Sequence, residues 1–164
     1  VKIAIDLRRL SDFGVGTYIR NVVRTLGRLD QDNQYYLIGP PESIRDLDVL
    51  PGNIRTVPLT HPEISPSGWL EFRKAVRQQH CDLVHIPHLF WLPRGLPCPY
   101  VVTVHDVQEH LSGAHQKSGL KRFCHFQFTQ HVLEKAARIV AVSQFTRQEV
   151  RHLFGIPQSK IDVA

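Results

Sequence analysis

The run Val101-Val102-Thr103-Val104 constrains the fold more than any other stretch. It is β-branched throughout and ends abruptly in His105-Asp106. A run without polar alternation reads as a strand buried on both faces, and such strands belong to parallel sheets covered by helices. In open α/β sheets, ligands bind in the crevice beyond the carboxyl ends of the strands. His105 and Asp106 stand at that point if the rest of the chain supplies such a sheet. By position alone, the pair reads equally well as residues that cap a strand and satisfy a loop.

The remaining sequence supplies the sheet. Lys2 to Asp6 is a short apolar strand, followed by Gly14-Val15-Gly16. Tyr18, Ile19, Val22, Val23, Leu26 and Leu29 then recur at helical spacing, with Arg20, Arg24 and Arg28 on the wetter side. Strand, glycine loop and helix form the front of a βαβ unit, and two glycines let backbone N–H groups approach an anion at a helix N-terminus. The third glycine of the dinucleotide fingerprint and the Gly-Lys-Ser/Thr of a P-loop are absent, so neither motif is supported, and a tight turn explains the pair as well.

Tyr35 to Gly39 and Ile54 to Pro58 read as strands, with a helical turn or loop between Glu42 and Gly52. Leu59 to Gly68 breaks structure before a helix over Trp69 to Gln79, with Leu70, Phe72, Arg73 and Val76 in contact range. Asp82 to His88 is a strand and its exit. His85 and His88, three apart on an extended segment, point to opposite sides and lack a third ligand of matching spacing, so no metal is expected. His88, with Phe90 and Trp91, fits a loop over the carboxyl edge of the sheet.

Beyond His105 the spacing predicts a helix over Gly119 to Ala137, with an inner stripe of Leu120, Cys124, Phe128, Val132, Leu133, Ala136 and Ala137. Lys117, Lys121, Arg122, Phe123 and Phe126 make its start basic and aromatic. That start admits contact with an anionic membrane surface, whereas the lack of a strong moment favours a core helix with a solvated face. Arg138 to Val142 is another buried strand. Ser143 caps the helix that follows, Thr146 and Glu149 offer a second cap-like spacing, and Gly155 with Pro157 ends it. Lys160 to Ala164 opens a further strand. Some seven strands alternating with helices imply an α/β chain with a doubly wound, mainly parallel, Rossmann-like sheet, read as a single domain over residues 1–164.

Composition narrows the function classes. Hydrophobic residues make up 42% and charged residues 21%, as in soluble globular proteins. Cys81, Cys98 and Cys124 are odd in number and widely spaced, which suggests buried thiols in a reducing compartment rather than a disulfide frame. No apolar run has membrane-spanning length, so a cytoplasmic protein is expected, with the inner face of the membrane as a peripheral site. The formal charge of +5 implies attraction for anions. The arginines are scattered and no recognition motif appears, so nucleic acid is not expected as a partner.

Three segments carry a resemblance to a known family. Lys2 to Arg8 through Gly14-Val15-Gly16-Thr17-Tyr18 is similar to a first strand and glycine loop, and Val101 to Asp106 to a strand ending in His-Asp. Ala137 to Thr146, with Gly155-Ile156-Pro157-Gln158-Ser159-Lys160-Ile161, is similar to a last strand, helix and exit. Together they resemble the N-terminal half of a GT-B fold, retaining glycosyltransferase of family 4, the group 1 transferases. The resemblance implies a hexosyltransferase-type parent that moves a sugar from a nucleotide-sugar donor to a glycan, lipid or small-molecule acceptor, with no cofactor and no metal. It places Gly14 and Gly16 against the donor phosphates, His105 as the catalytic cleft residue, and His88, Asp106 and Ser143 along the cleft or acceptor. The family's second, nucleotide-sugar-binding domain is absent from these 164 residues, so this chain alone is expected to be inactive. The alternative is a stand-alone Rossmann-like module that binds a phosphorylated small molecule.

Overall fold

The computed structural model describes residues 1–47, 50–61, 65–89, 95–107 and 119–164, without the side chains of 121 and 122. Strands and helices alternate in the order β1 (Lys2–Asp6), α1 (Phe13–Leu29), β2 (Gln34–Gly39), α2 (Pro41–Arg45), β3 (Ile54–Pro58), α3 (Pro66–Gln78) and β4 (Leu83–Ile86). There follow β5 (Tyr100–Val104), α4 (Gly119–Lys135), β6 (Arg138–Ala141), α5 (Gln144–Phe154), one 3₁₀ turn (Gln158–Lys160) and β7 (Ile161–Val163). The chain is α/β and Rossmann-like, with seven parallel strands. Two compact units emerge, one carrying β1–β4 with α1–α3, the other β5 from Val101 onward, β6 and β7 with α4 and α5.

In the first unit the strand order is β3-β2-β1-β4, so β1 has a neighbour on each side. Ala4 pairs with Tyr36 of β2 and with Val84 of β4. Ile5, Leu7, Tyr35, Leu37 and Ile54 bury their side chains with Ile19 and Val23 of α1, the face that helical spacing anticipates. Helix α1 starts earlier than the sequence suggests, because Asp12 is already its extended N-cap residue and Phe13 its first helical one. The expected glycine loop is therefore the first turn of a helix. A glycine costs a helix about 1 kcal/mol relative to alanine, and at Gly16 close packing explains the choice. A Cβ there would stand 2.0 Å from the Leu10 carbonyl oxygen.

Helix α3 also begins earlier than expected, at Pro66, since the hydroxyl of Ser65 accepts a hydrogen bond from the Gly68 amide at 3.0 Å. Trp69, Phe72, Ala75 and Val76 form its buried side, whereas Leu70, expected to make contact, is exposed. The segment between Glu42 and Gly52 contributes most of the short helix α2, which opens on Pro41.

The second unit pairs β5 with β6 and β6 with β7, Val104 lying opposite Ala141 and Ile139 opposite Ile161. Helix α5 is bounded as the sequence predicts. The Ser143 hydroxyl accepts from the Thr146 amide at 3.0 Å, and Gly155 closes the helix in the left-handed region at φ 69°. Thr146, read as a second cap, is instead a buried helical residue. The stripe expected along α4 holds only in its C-terminal half, where Val132, Leu133 and Ala136 are buried. Leu120 is 72% exposed, and Cys124 and Ala137 are exposed too.

The cysteines divide in the same manner, Cys81 buried, Cys98 half-buried and Cys124 exposed. All three are free thiols. Burial, with a smaller contribution from Cys98, pushes the Cys81 thiol up to about 11, so it stays protonated and unreactive near neutral pH.

Candidate functional site

At the carboxyl edge of the first unit, β1 ends in Asp6 and the chain turns through Leu7 to Arg8. Both charged side chains are buried, Arg8 being 8% exposed. Asp6 accepts from the Arg8 amide at 3.0 Å and from Nε and Nη2 of its guanidinium at 2.9 Å and 2.7 Å. The guanidinium also lies over the Phe72 ring at 4.5 Å and the Trp69 ring at 5.6 Å. Such a planar cation, paired on its edge and stacked on its face, is fixed in place and largely neutralised.

Beyond β3 a second polar assembly forms. Glu71 of α3 accepts from the Thr60 amide at 3.0 Å, the Thr60 hydroxyl at 2.8 Å and the His61 amide at 2.9 Å, and it contacts the His61 ring nitrogen Nδ1 at 3.1 Å. Burial pushes this carboxyl up, but the hydrogen bonds from His61 and Thr60 together outweigh it and bring Glu71 down to about 2. The clamp holds Thr60 and His61 on one wall of a cavity of about 620 Å³, whose other walls come from the ends of β1 and β2 and from α2.

The glycines expected to meet phosphates stand at the start of α1. Gly16 is buried, its amide donating to the Asp12 carbonyl at 2.6 Å. Gly14 is exposed, and nothing among the described residues lies within 4 Å of the position a Cβ would take. Asp12 makes no side-chain cap on the helix and instead pairs with Arg9 at 3.0 Å.

The carboxyl edge of the second unit gathers four of the residues singled out from the sequence. His105 follows β5 directly and is half-buried, and Asp106 beside it is exposed. The rings of His88 and His105 face each other with centroids 6.1 Å apart and planes inclined at 54°. Ser143, after β6, uses its hydroxyl to cap α5 and to meet the Thr146 hydroxyl at 2.9 Å. That threonine hydroxyl donates in turn to the His105 carbonyl at 3.3 Å. Ser143 is thus tied through one residue to the backbone of His105.

His85 lies on β4, its ring edge-on to Tyr18 with centroids 6.4 Å apart. Among the described residues, no group of three or more His, Cys, Asp or Glu side chains is placed to hold a metal ion. Phe90, Trp91 and the loop from Glu109 to Ser118 lie outside the described residues, as do the side chains of Lys121 and Arg122. No helix among the described residues is long and apolar enough to cross a membrane.

Sequence reasoning missed the Asp6–Arg8 fork and the Glu71 clamp. An Asp-x-Arg spacing at a strand exit was the available signal for the first. The second joins residues ten and eleven apart through a loop, and no local pattern announces it.

The family model described as Glycosyltransferase Family 4 matches residues 14–164, and the chain belongs to that family. Among solved structures it is similar to a glycosyltransferase from Rickettsia africae, with a TM-score of 0.56 at 15% identity, over 99% of this chain and 42% of that one. It is also similar to the apo form of the lipopolysaccharide outer core galactosyltransferase WaaB, with a TM-score of 0.55 at 13% identity, over 99% of this chain and 45% of that one. The wall teichoic acid polymerase TagF gives a TM-score of 0.52 at 10% identity, over 98% and 37%. At such identities the likeness is one of fold, that of half a GT-B glycosyltransferase. The chain spans less than half the length of each of these structures. No match was found among curated proteins.

Proposed function

We propose that this chain is the acceptor-side half of a retaining, hexosyltransferase-type enzyme that moves a sugar from a nucleotide-sugar donor to a glycan or lipid acceptor. The observation that carries the proposal is the family match over residues 14–164 in a chain that spans under half of its structural relatives. In this reading His105 faces the reacting sugar, where an imidazole is able to donate or accept a proton near neutral pH. His88 and Asp106 line the same edge, and the tie from Ser143 through Thr146 holds the His105 backbone in place. Gly14 and Gly16 lie near the donor phosphates at the start of α1, where the helix dipole favours an anion; exposed Gly14 lets the anion approach the backbone, while the Gly16 amide stays on the Asp12 carbonyl.

The proposed enzyme needs a second domain to bind the nucleotide and to supply cations for the departing diphosphate. The chain alone is therefore inactive, needs no metal, and its protein works in the cytoplasm, with the inner face of the membrane as its peripheral site. The test is a transfer assay on the longer protein with a panel of nucleotide sugars, the anomeric configuration of the product being read by NMR. Retained configuration, with a loss of about tenfold or more in the His105→Ala variant, is the expected result. Inverted product, or full turnover without the imidazole, refutes the corresponding assignment. Transfer by the 164-residue chain alone refutes the need for a second domain.

A further inference from the structure

The cavity at the edge of the first unit is a candidate for a binding site of its own. Its volume of about 620 Å³ is in the range of small-molecule sites, commonly some 300–1,000 Å³. Ser43 lines it and is 5% exposed, yet no hydrogen bond involves its hydroxyl among the described residues. Among the described residues the Ser43 hydroxyl is not one of the fully buried polar atoms that lack a partner, so the small exposed part of this residue includes its hydroxyl, open to a ligand in the cavity that it lines. Thr60, held by Glu71, presents a second fixed hydroxyl-bearing residue on the wall.

The charges decide what kind of ligand fits. Arg8 lines the cavity, but Asp6 forks its guanidinium and cancels its charge. Glu42 and Asp46 add two carboxylates. A phosphorylated or otherwise anionic group would meet repulsion there, although the chain as a whole carries a formal charge of +5. Carboxylates and hydroxyls accept hydrogen bonds from sugar hydroxyls or an ammonium group, and Pro41 offers an apolar surface for ring C–H groups.

We infer that this cavity binds a neutral or amino-bearing, unphosphorylated sugar unit, the part of the acceptor that determines which chain end is used. The inference rests on the proposed acceptor-side role. It also separates two chemistries within the unit: phosphate at the start of α1, and uncharged or cationic sugar over Ser43.

The test uses the ¹⁵N-labelled chain, titrated with glucose, glucosamine and glucose 6-phosphate. Glucose and glucosamine should shift the amides of Ser43, Asp46 and Thr60 in a saturable manner, while glucose 6-phosphate binds there at least about tenfold more weakly. Ser43→Ala should weaken glucosamine about fivefold, the worth of one hydrogen bond, and Asp46→Asn should remove any preference for glucosamine over glucose. No shift at these amides with any of the three sugars overturns the inference, as does equal or tighter binding of the phosphorylated one. The acceptor-side reading fails separately. Pocket shifts in a chain whose longer protein transfers no sugar refute that reading and keep the pocket. Transfer without pocket shifts refutes the pocket and keeps the reading.

Discussion

Gly16 lies so close to the carbonyl of Leu10 that a Cβ would sit 2.0 Å from its oxygen and 2.9 Å from its carbon. The contact is with backbone, which cannot rotate away. Gly16→Ala therefore pushes α1 off the loop that leaves β1, and overpacking of this kind costs about 1–3 kcal/mol. Gly14→Ala meets no atom of the described residues and should leave the melting temperature unchanged or slightly higher. Thermal denaturation of the two variants checks this. If Gly14 also lies against donor phosphates, its alanine variant in the longer protein should raise KM for the donor without loss of stability.

The Asp6–Arg8 pair gives a second expectation. Asp6→Asn takes the Asp6 carboxylate away from a buried guanidinium, and removing one partner of a buried pair typically costs about 3–5 kcal/mol. Arg8→Lys keeps the charge but loses both the fork and the stacking on Phe72, so it should fall well short of the parent in urea denaturation. A lysine variant as stable as the parent would show that planarity at this site is irrelevant.

Glu71 provides a pH signature. Its folded-state value of about 2 lies below the 4.5 of the free side chain, so its contribution is fully present above about pH 4.5 and is lost as pH falls toward 2. Asp30, lowered to about 2 chiefly by hydrogen bonds from Asn33 and Tyr35, titrates in the same window. The comparison that isolates Glu71 is therefore parent against Glu71→Gln. The difference in unfolding free energy should be constant near neutrality and shrink below about pH 4.5. A gap that persists unchanged at pH 2.5 would mean that the carboxylate charge plays no part in the clamp.

Ser143 separates structure from chemistry. Losing the cap in Ser143→Ala should cost about 1 kcal/mol, and Ser143→Gly only a few tenths. If His105 faces the reacting sugar as proposed, the link from this hydroxyl through Thr146 to the His105 carbonyl means that both variants should lower kcat in the longer protein more than they raise KM. Equal activity in folded Ser143→Gly would reduce the residue to a helix cap.

The strands were legible because their side chains are. Val102 to Val104 are buried without interruption, and Ile139 and Ala141 are buried on either side of a half-buried Val140; a parallel sheet is the arrangement that accommodates such runs. The cap at Ser143 and the stop at Gly155 were equally plain, since both depend on one residue and its immediate neighbours. The start of α1 was not, because glycine is read as a breaker, and the Leu10 carbonyl that requires Gly16 is a tertiary neighbour. Helix α4 misled for a related reason: apolar spacing at Leu120 and Cys124 says which way a side chain points, not whether anything waits there. The cavity over Ser43 left no trace in the sequence, for its walls come from the ends of three strands and a short helix.

The position of β1 has a consequence for biosynthesis. Lys2 to Asp6 leave the ribosome well before their sheet neighbour on one side, β4, whose Leu83 to His85 are made only after the helices between. Until then one edge of an apolar strand has no partner, and open edges of that kind invite pairing with other chains. A nascent or truncated chain that stops before Leu83 should accumulate in aggregates, whereas one that runs through Ile86 closes that edge. The order in which the chain is made is thus opposed to the order in which its central strand is completed.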